Sequence, residues 1–599
     1  KAMAVTLNAA HIDIPSSNAR TIFGEEKFND LYPDKNKKQS PIIRDREWKD
    51  PSVTFEEEVL EMLGSIFESN ERSQHEAFIG SNNFAVSGEK SASGNAILAN
   101  DPHLKLTLPS IWVEMHLVCP EMNVYGVALP GMPGITLGFN EQISWGQTNV
   151  GQDVLDIYEV EWEGDNYNSY KVDGESLQTE KVVEHFVVRD GDNATDTVLY
   201  TIWGPIKKEE GRQTKLAQRW VSSDEPSPAE ADVYLGINRA KNHAEFQEAI
   251  SNFSTPAQNF IFSSTNGDIA MTVAGNLPIK GDQQGRFIQD GSTRKSAWKG
   301  YITFDELPQE LNPKRNYVAS ANQHSADETY PYYYNGGFED FRGRYINRTL
   351  ENMKEVSTED LMNLQLDAYS LKAEEALPLL LDNLQIESLT KKEVEVVKAL
   401  EDWNYVYAAN SLAATYFEVW WMKFYQTAFD EIYQIRKETD IPWIEAYRLI
   451  EMMEDDHAIL DIEETEEVER LSDIVQVSFK GVGFDSLDLK AWSEHRNTTI
   501  QHLTNIPSLS YDNVTSPGHG NTPNAISSQH GPSWRMVVEM STPIKAFGIY
   551  PGGISGNPGS PYYDHFVDDW SKGQYYELNN SRDKDKIESK SRITFKGRK

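Results

Sequence analysis

Cysteine is nearly missing from this chain of 599 residues: Cys119 is the single example. An intramolecular disulfide is therefore excluded, and a metal site built from cysteines with it. Long apolar runs are missing too. No stretch reaches 18 apolar residues, so no segment reads as a membrane-spanning helix. Basic residues are few, 56 Lys+Arg against 93 Asp+Glu, for a formal net charge of −37. Nucleic acids are gripped through a basic footprint, so the charge speaks against DNA and RNA as partners. It speaks equally against an anionic membrane surface. Familiar catalytic signatures are absent as well. There is no His-Glu-x-x-His zinc helix, no Gly-x-x-x-x-Gly-Lys-Ser/Thr phosphate loop and no Gly-x-Ser-x-Gly elbow. The 13 His residues lack ligand spacing, and 93 acids offer too many carboxylate pairs to single one out. The opening Lys1-Ala2-Met3-Ala4-Val5 has neither the charged nor the apolar region of a signal peptide and does not begin with Met. The chain is therefore expected to start partway through a longer product.

What is present is the composition of a folded protein. Hydrophobic residues make up 39% and aromatics 11%, too apolar for a disordered chain despite the charge. Residues 1–33 read as helical, with Phe23, Phe28 and Leu31 near helical spacing. Pro33, Pro41 and Pro51 punctuate an exposed connection over 34–56, and 54–70 suits an acidic helix. From Ser81 to about residue 345, apolar and polar residues alternate between Gly and Pro turns, as in Ile111–Leu117 and Ile261–Ser263. This is the pattern of a large antiparallel β region. Residues 345–455 turn helical, with Leu361, Leu364, Leu379 and Leu380, then Leu412, Tyr416 and Trp420, at three- and four-residue steps. Leu412–Phe424 reads as a buried helix and the acidic run 463–469 as a solvated helix face. Residues 505–580 are rich in Gly, Pro and Ser with short β runs such as Arg535–Met540. The residues alone thus lead to a large α+β protein.

One stretch says more. It runs Gly80-Ser81-Asn82-Asn83-Phe84-Ala85-Val86-Ser87-Gly88, then Leu98-Ala99-Asn100-Asp101-Pro102-His103-Leu104, then Ile143-Ser144-Trp145-Gly146-Gln147-Thr148-Asn149 with Asp153 and Asp156 after it. Further blocks are Ser320-Ala321-Asn322-Gln323, Arg342, Gly531–Arg535 and Gly552–Pro561. In these blocks, ordered over nearly the whole chain, the sequence resembles the penicillin acylase family of N-terminal nucleophile hydrolases. That resemblance implies the four-layer αββα sandwich of this class, with a helical insertion over about 345–490. It implies three segments: 1–65, the C-terminal part of an α chain whose front is missing; 66–80, a linker ending at a self-cleavage site between Gly80 and Ser81; and 81–599, the β chain.

The implied chemistry is amide hydrolysis. Ser81 supplies the nucleophile and its freed α-amine the base, since an α-amine titrates near 8, much closer to neutrality than lysine. The resemblance implies an oxyanion hole from the Asn149 backbone N–H and the Asn322 side chain. It implies that His103 orients the serine or its amine through a ring hydrogen bond, and that Arg342 supports Asn322. Leu104 and Leu137 stand where benzyl-selective relatives carry Phe, which favours an aliphatic acyl chain. A penicillin or cephalosporin side chain and an acyl-homoserine lactone are both substrates of the implied type. Asp153, the Leu155 carbonyl and Asp156 match calcium ligands, with Asp13 as the α-chain acid and Tyr334 or Asn335 where a further acid would stand. That calcium would be structural, one per αβ pair. The implied partners are a small acyl amide and the two chains of one precursor, and the implied location is periplasmic or secreted. Two rivals remain: a non-catalytic binding protein on this scaffold, and an uncleaved, inactive precursor.

Overall fold

The computed structural model describes residues 12–44, 46–53, 66, 80–209, 212–224, 229–336, 341–457, 460, 468–583, 586 and 591–595. The expected acidic helix over 54–70, apart from Ile66, and most of the acidic run 463–469 lie outside these residues.

Two seven-stranded antiparallel sheets form the middle of the molecule. The first runs Tyr317–Ser320, Gly80–Val86, Ile97–Lys105, Arg535–Glu539, Lys545–Ile549 and Tyr576–Glu577, with His530–Pro532 also paired to Ile97–Lys105. The second runs from Gln309–Leu311 through Ile269–Ala274, Gln258–Ser264, Ile143–Asn149, Leu137–Asn140 and Met122–Ala128 to Val113–Cys119. Alternation along each strand explains the layering. Ala85, Leu98, Val318 and Val538 face inward and meet Val127, Phe139, Ile261 and Met271 of the other sheet. Their neighbours Phe84, Ile97, Tyr317 and Val537 face outward onto Ile346, Leu350, Leu361 and Leu364 of helices Phe341–Asn352 and Thr358–Gln365. On the far side Trp145, Phe260 and Phe262 pack on Ile237, Phe246 and Ile250 of helices Val233–Arg239 and His243–Ile250. The result is helix, sheet, sheet, helix, an α+β fold as expected.

The two helices inside 233–250 break the single β region expected over 81–345. They are short, and the second gains its start from Asn242, whose side chain accepts from the Glu245 N–H. A six-stranded sheet built on Leu155–Glu159 and Arg212–Trp220 extends the body. Helices from Phe341 to Arg496 form the helical region, centred on Leu412–Ala428 with Trp420, Trp421 and Phe424 buried. Phe28 and Leu31 of helix Asp13–Leu31 dock into the same core. The connection over 34–56 is not wholly exposed. Ile42 and Ile43 are buried, and their N–H groups donate to the carbonyls of His324 (2.8 Å) and Ser325 (3.1 Å). No described helix is long and apolar enough to cross a membrane.

Candidate active site

Ser81 is the second residue of strand Gly80–Val86, an interior strand of the first sheet, and is only 6% exposed. Its N–H donates to Asn322 Oδ1 at 2.6 Å, and its hydroxyl donates to the Gly80 carbonyl oxygen at 2.5 Å. Asn322 follows strand Tyr317–Ser320 in a left-handed turn, φ 72°, which Asn tolerates better than most residues. Gln323 fixes that turn, taking the Ala321 N–H at 2.6 Å and donating to the Ala319 carbonyl at 3.1 Å. Arg342, in the first turn of helix Phe341–Asn352, reaches the Ser81 carbonyl (3.2 Å), Asn82 Oδ1 (2.8 Å) and Asn322 Oδ1 (3.2 Å). Asn322 Nδ2 donates to the carbonyl of Asn149, the last residue of strand Ile143–Asn149, at 3.0 Å. Four separate elements thus bring Ser81, Asn149, Asn322 and Arg342 together. Asn322 acts here as acceptor for the Ser81 nitrogen, and its donor end rests on Asn149. Gly80 is fitted to the spot: a Cβ there would lie 2.7 Å from Arg342 Nη2 and 3.0 Å from Asn322 Oδ1.

His103 departs from expectation. Its Nε2 pairs with Asp101 Oδ2 at 2.6 Å, and the structure gives the ring no hydrogen bond to Ser81. Strand geometry is the reason. Gly80 stands opposite His103 and Asn82 opposite Asp101, so Asp101, His103 and Asn82 share the face turned to the helices. Ser81 shares the other face with Ala85. Burial pushes His103 below its usual value, while the Asp101 hydrogen bond works the other way. Sequence reasoning missed Asp101. Its carboxylate also accepts from Asn82 Nδ2 (2.9 Å) and from Gln365 Nε2 (2.8 Å) of the helical layer. It is therefore a buried positioning residue joining His103 to the residue beside Ser81. The two-residue step from Asp101 to His103 was the available signal.

Leu104 and Leu137 are both buried in the apolar cluster between the sheets, with Trp112 and Val150. A cavity of about 1120 Å³ lies elsewhere, lined among others by Arg20, Lys280, Trp298 and Tyr332, and includes neither leucine nor Ser81.

The residues matched to calcium ligands do converge. Asp13, Asp153 and Asp156 are fully buried around the start of strand Leu155–Glu159, with the Ile157 N–H donating to Asp13 Oδ2 at 2.9 Å. Between Asp153 and Asp156 stands Lys280, its Nζ 2.8 Å from Asp153 Oδ2 and 2.6 Å from Asp156 Oδ1. Asn335, on the position considered for a further ligand, points its Nδ2 at Asp153 Oδ2 at 2.9 Å. An ammonium and an amide N–H face the oxygens that a calcium ion would need, so this donor set does not fit calcium as it stands. Burial raises the Asp153 carboxyl to about 6, with Lys280 working against the rise. Burial, then the charges of Asp153 and Asp156, push Asp13 well above the carboxylate range.

Helix, sheet, sheet, helix is the layered frame that holds these residues. The structure superposes with TM-score 0.67 on a thermostable penicillin G acylase from Alcaligenes faecalis, at 16% identity, covering 86% of this chain and 100% of that one. A family model for penicillin amidase matches residues 1–586, and the chain belongs to that family. It is 26% identical over 557 residues to acyl-homoserine lactone acylase QuiP of Pseudomonas syringae pv. syringae, covering 83% of this chain and 66% of the relative. It is 23% identical over 256 residues to penicillin acylase 2 proenzyme of a Pseudomonas species, covering 42% of this chain and 33% of that one. The chain therefore spans less than two thirds of the length of these curated relatives.

Proposed function

We propose that this protein hydrolyses the amide of small N-acylated molecules, with Ser81 as an N-terminal nucleophile exposed by cleavage after Gly80. The observation that carries this reading is the Ser81 hydroxyl seated on the carbonyl of its own preceding glycine, with its nitrogen held by Asn322. Attack of Oγ on the Gly80 carbonyl carbon, transfer of the acyl group from N to O, and hydrolysis of the resulting ester by water would leave Ser81 with a free α-amine. In turnover, Oγ bonds to the substrate's acyl carbon and its proton passes to that amine. The tetrahedral intermediate collapses with loss of the leaving amine, which takes the proton. Water then splits the acyl ester. Movement of Asn322 Nδ2 from the Asn149 carbonyl to the developing oxyanion would supply the side-chain donor, beside the Asn149 N–H.

For the acyl group we favour an aliphatic chain. Leu104 and Leu137 lie in one apolar cluster, and aliphatic walls suit an alkyl chain better than a stacked ring. Acyl-homoserine lactones fit this class, as the name of the first relative suggests. A place outside the cytoplasm belongs to this reading through the family resemblance. The test is a panel of short- to long-chain acyl amides beside phenylacetyl amides, assayed with the processed protein and with Ser81→Ala. Turnover of the aliphatic members, lost in the variant, supports the reading. Hydrolysis that persists in Ser81→Ala removes Ser81 as nucleophile.

A further inference from the structure

We propose that the Lys280 ammonium is the permanent cation of the Asp13–Asp153–Asp156 cluster, and that the folded protein holds together without calcium. Lys280 has no exposed side-chain surface, and neither does Asp153 or Asp156. Its Nζ bridges Asp153 and Asp156 and lies 5.8 Å from the centre of the Trp298 ring. The remaining oxygens of Asp153 and Asp156 are also taken, whereas Asp13 Oδ1 is buried without a hydrogen-bond partner. Asp153 Oδ1 accepts from the Leu155 N–H at 3.1 Å, and Asp156 Oδ2 accepts from Trp298 Nε1 at 2.6 Å. Each oxygen of the pair therefore faces an N–H group. Calcium asks for about six to eight oxygen lone pairs at about 2.3–2.6 Å, and an ammonium in their midst repels it. Space tells the same story. A Cβ added to Gly285 would lie 2.4 Å from Nζ and 2.3 Å from Asp153 Oδ2, so backbone closes over the lysine.

The chain positions give the clamp its purpose. Asp13 opens helix Asp13–Leu31, Asp153 and Asp156 flank the start of strand Leu155–Glu159, and Lys280 lies in the loop beyond strand Ile269–Ala274. One covalently held cation ties strand and loop, while the Asp13 bond to Ile157 adds the N-terminal helix. Unlike a metal ion, this cation cannot be drawn out by a chelator.

The test begins with the unaltered protein as purified in calcium-containing buffer, freed of loose ions by gel filtration. Elemental analysis is expected to find no stoichiometric calcium, and thermal unfolding to give the same Tm with EGTA and with added calcium. Retained calcium, or a Tm that falls on chelation, overturns the proposal. The second arm is Lys280→Ala, which leaves the carboxylates facing an open space. Its Tm is expected to fall and to be raised by calcium, a response the unaltered protein lacks. A folded Lys280→Ala with an unchanged Tm also contradicts the clamp. If that variant does not fold, chelation of the unaltered protein still decides.

Discussion

At Gly80 there is no room for a side chain, because Arg342 and Asn322 already crowd the position. Gly80→Val is therefore expected to block separation of the two chains, seen as a single band on a denaturing gel; full processing would mean the crowding yields. Asn322 holds the Ser81 nitrogen and, in the proposed function, supplies a side-chain donor to the oxyanion. In a processed sample, Asn322→Ala should lower kcat by about 10²–10³-fold, the usual loss for such a donor. An unchanged rate would remove Asn322 from the site. His103 carries a pH prediction. Burial holds its folded value below the ordinary one. As pH falls through about 6.5, the unfolded chain takes up this proton before the folded one does. Stability contributed by the neutral ring is thus whole above that pH and lost below it. Thermal unfolding between about pH 5 and 7.5 should show a smaller acid loss in His103→Gln than in the unaltered protein. Equal slopes would mean that folding leaves the His103 value unchanged, and a larger acid loss in His103→Gln would mean that the ring is charged in the fold.

Among the elements, helix Leu412–Ala428 is where local pattern and tertiary packing agree. Trp420 is fully buried against Phe479, their ring centres 4.8 Å apart. Trp420→Ala should cost about 3–5 kcal/mol and lower the Tm of the helical region, whereas a change near zero would mean the core refills. This helix was legible because its apolar residues recur at helical steps. The strands bearing Ser81 and Ile261 were legible from alternation and turn residues. Helices 233–250 were not, since eight or fewer residues leave little periodicity to read. Of the site, the blocks around Ser81, Asn149, Asn322 and Arg342 marked residues that the fold brings together, although 241 positions separate Ser81 from Asn322. Asp101 stands two residues from His103 on the same strand, but its bonds to Asn82 and Gln365 needed the fold to show them. Lys280 escaped notice because a lone charged residue shows its partner only once distant segments meet, and it lies 127 positions from Asp153.

Across the whole molecule, a net charge of −37 is a standing self-repulsion. Raising salt from very low to about 0.15 M should raise the Tm, because the Debye length shrinks to about 8 Å. A Tm that falls with salt would mean that ion pairs dominate over repulsion. The whole body bears on one bond, Gly80–Ser81. The direct measurement is intact mass with N-terminal sequencing of the purified full-length product, with Ser81→Ala as control. Two chains are expected in the unaltered protein, the larger starting Ser81-Asn82-Asn83-Phe84, and one chain in the variant. A single uncut chain that nonetheless hydrolyses acyl amides would contradict that expectation.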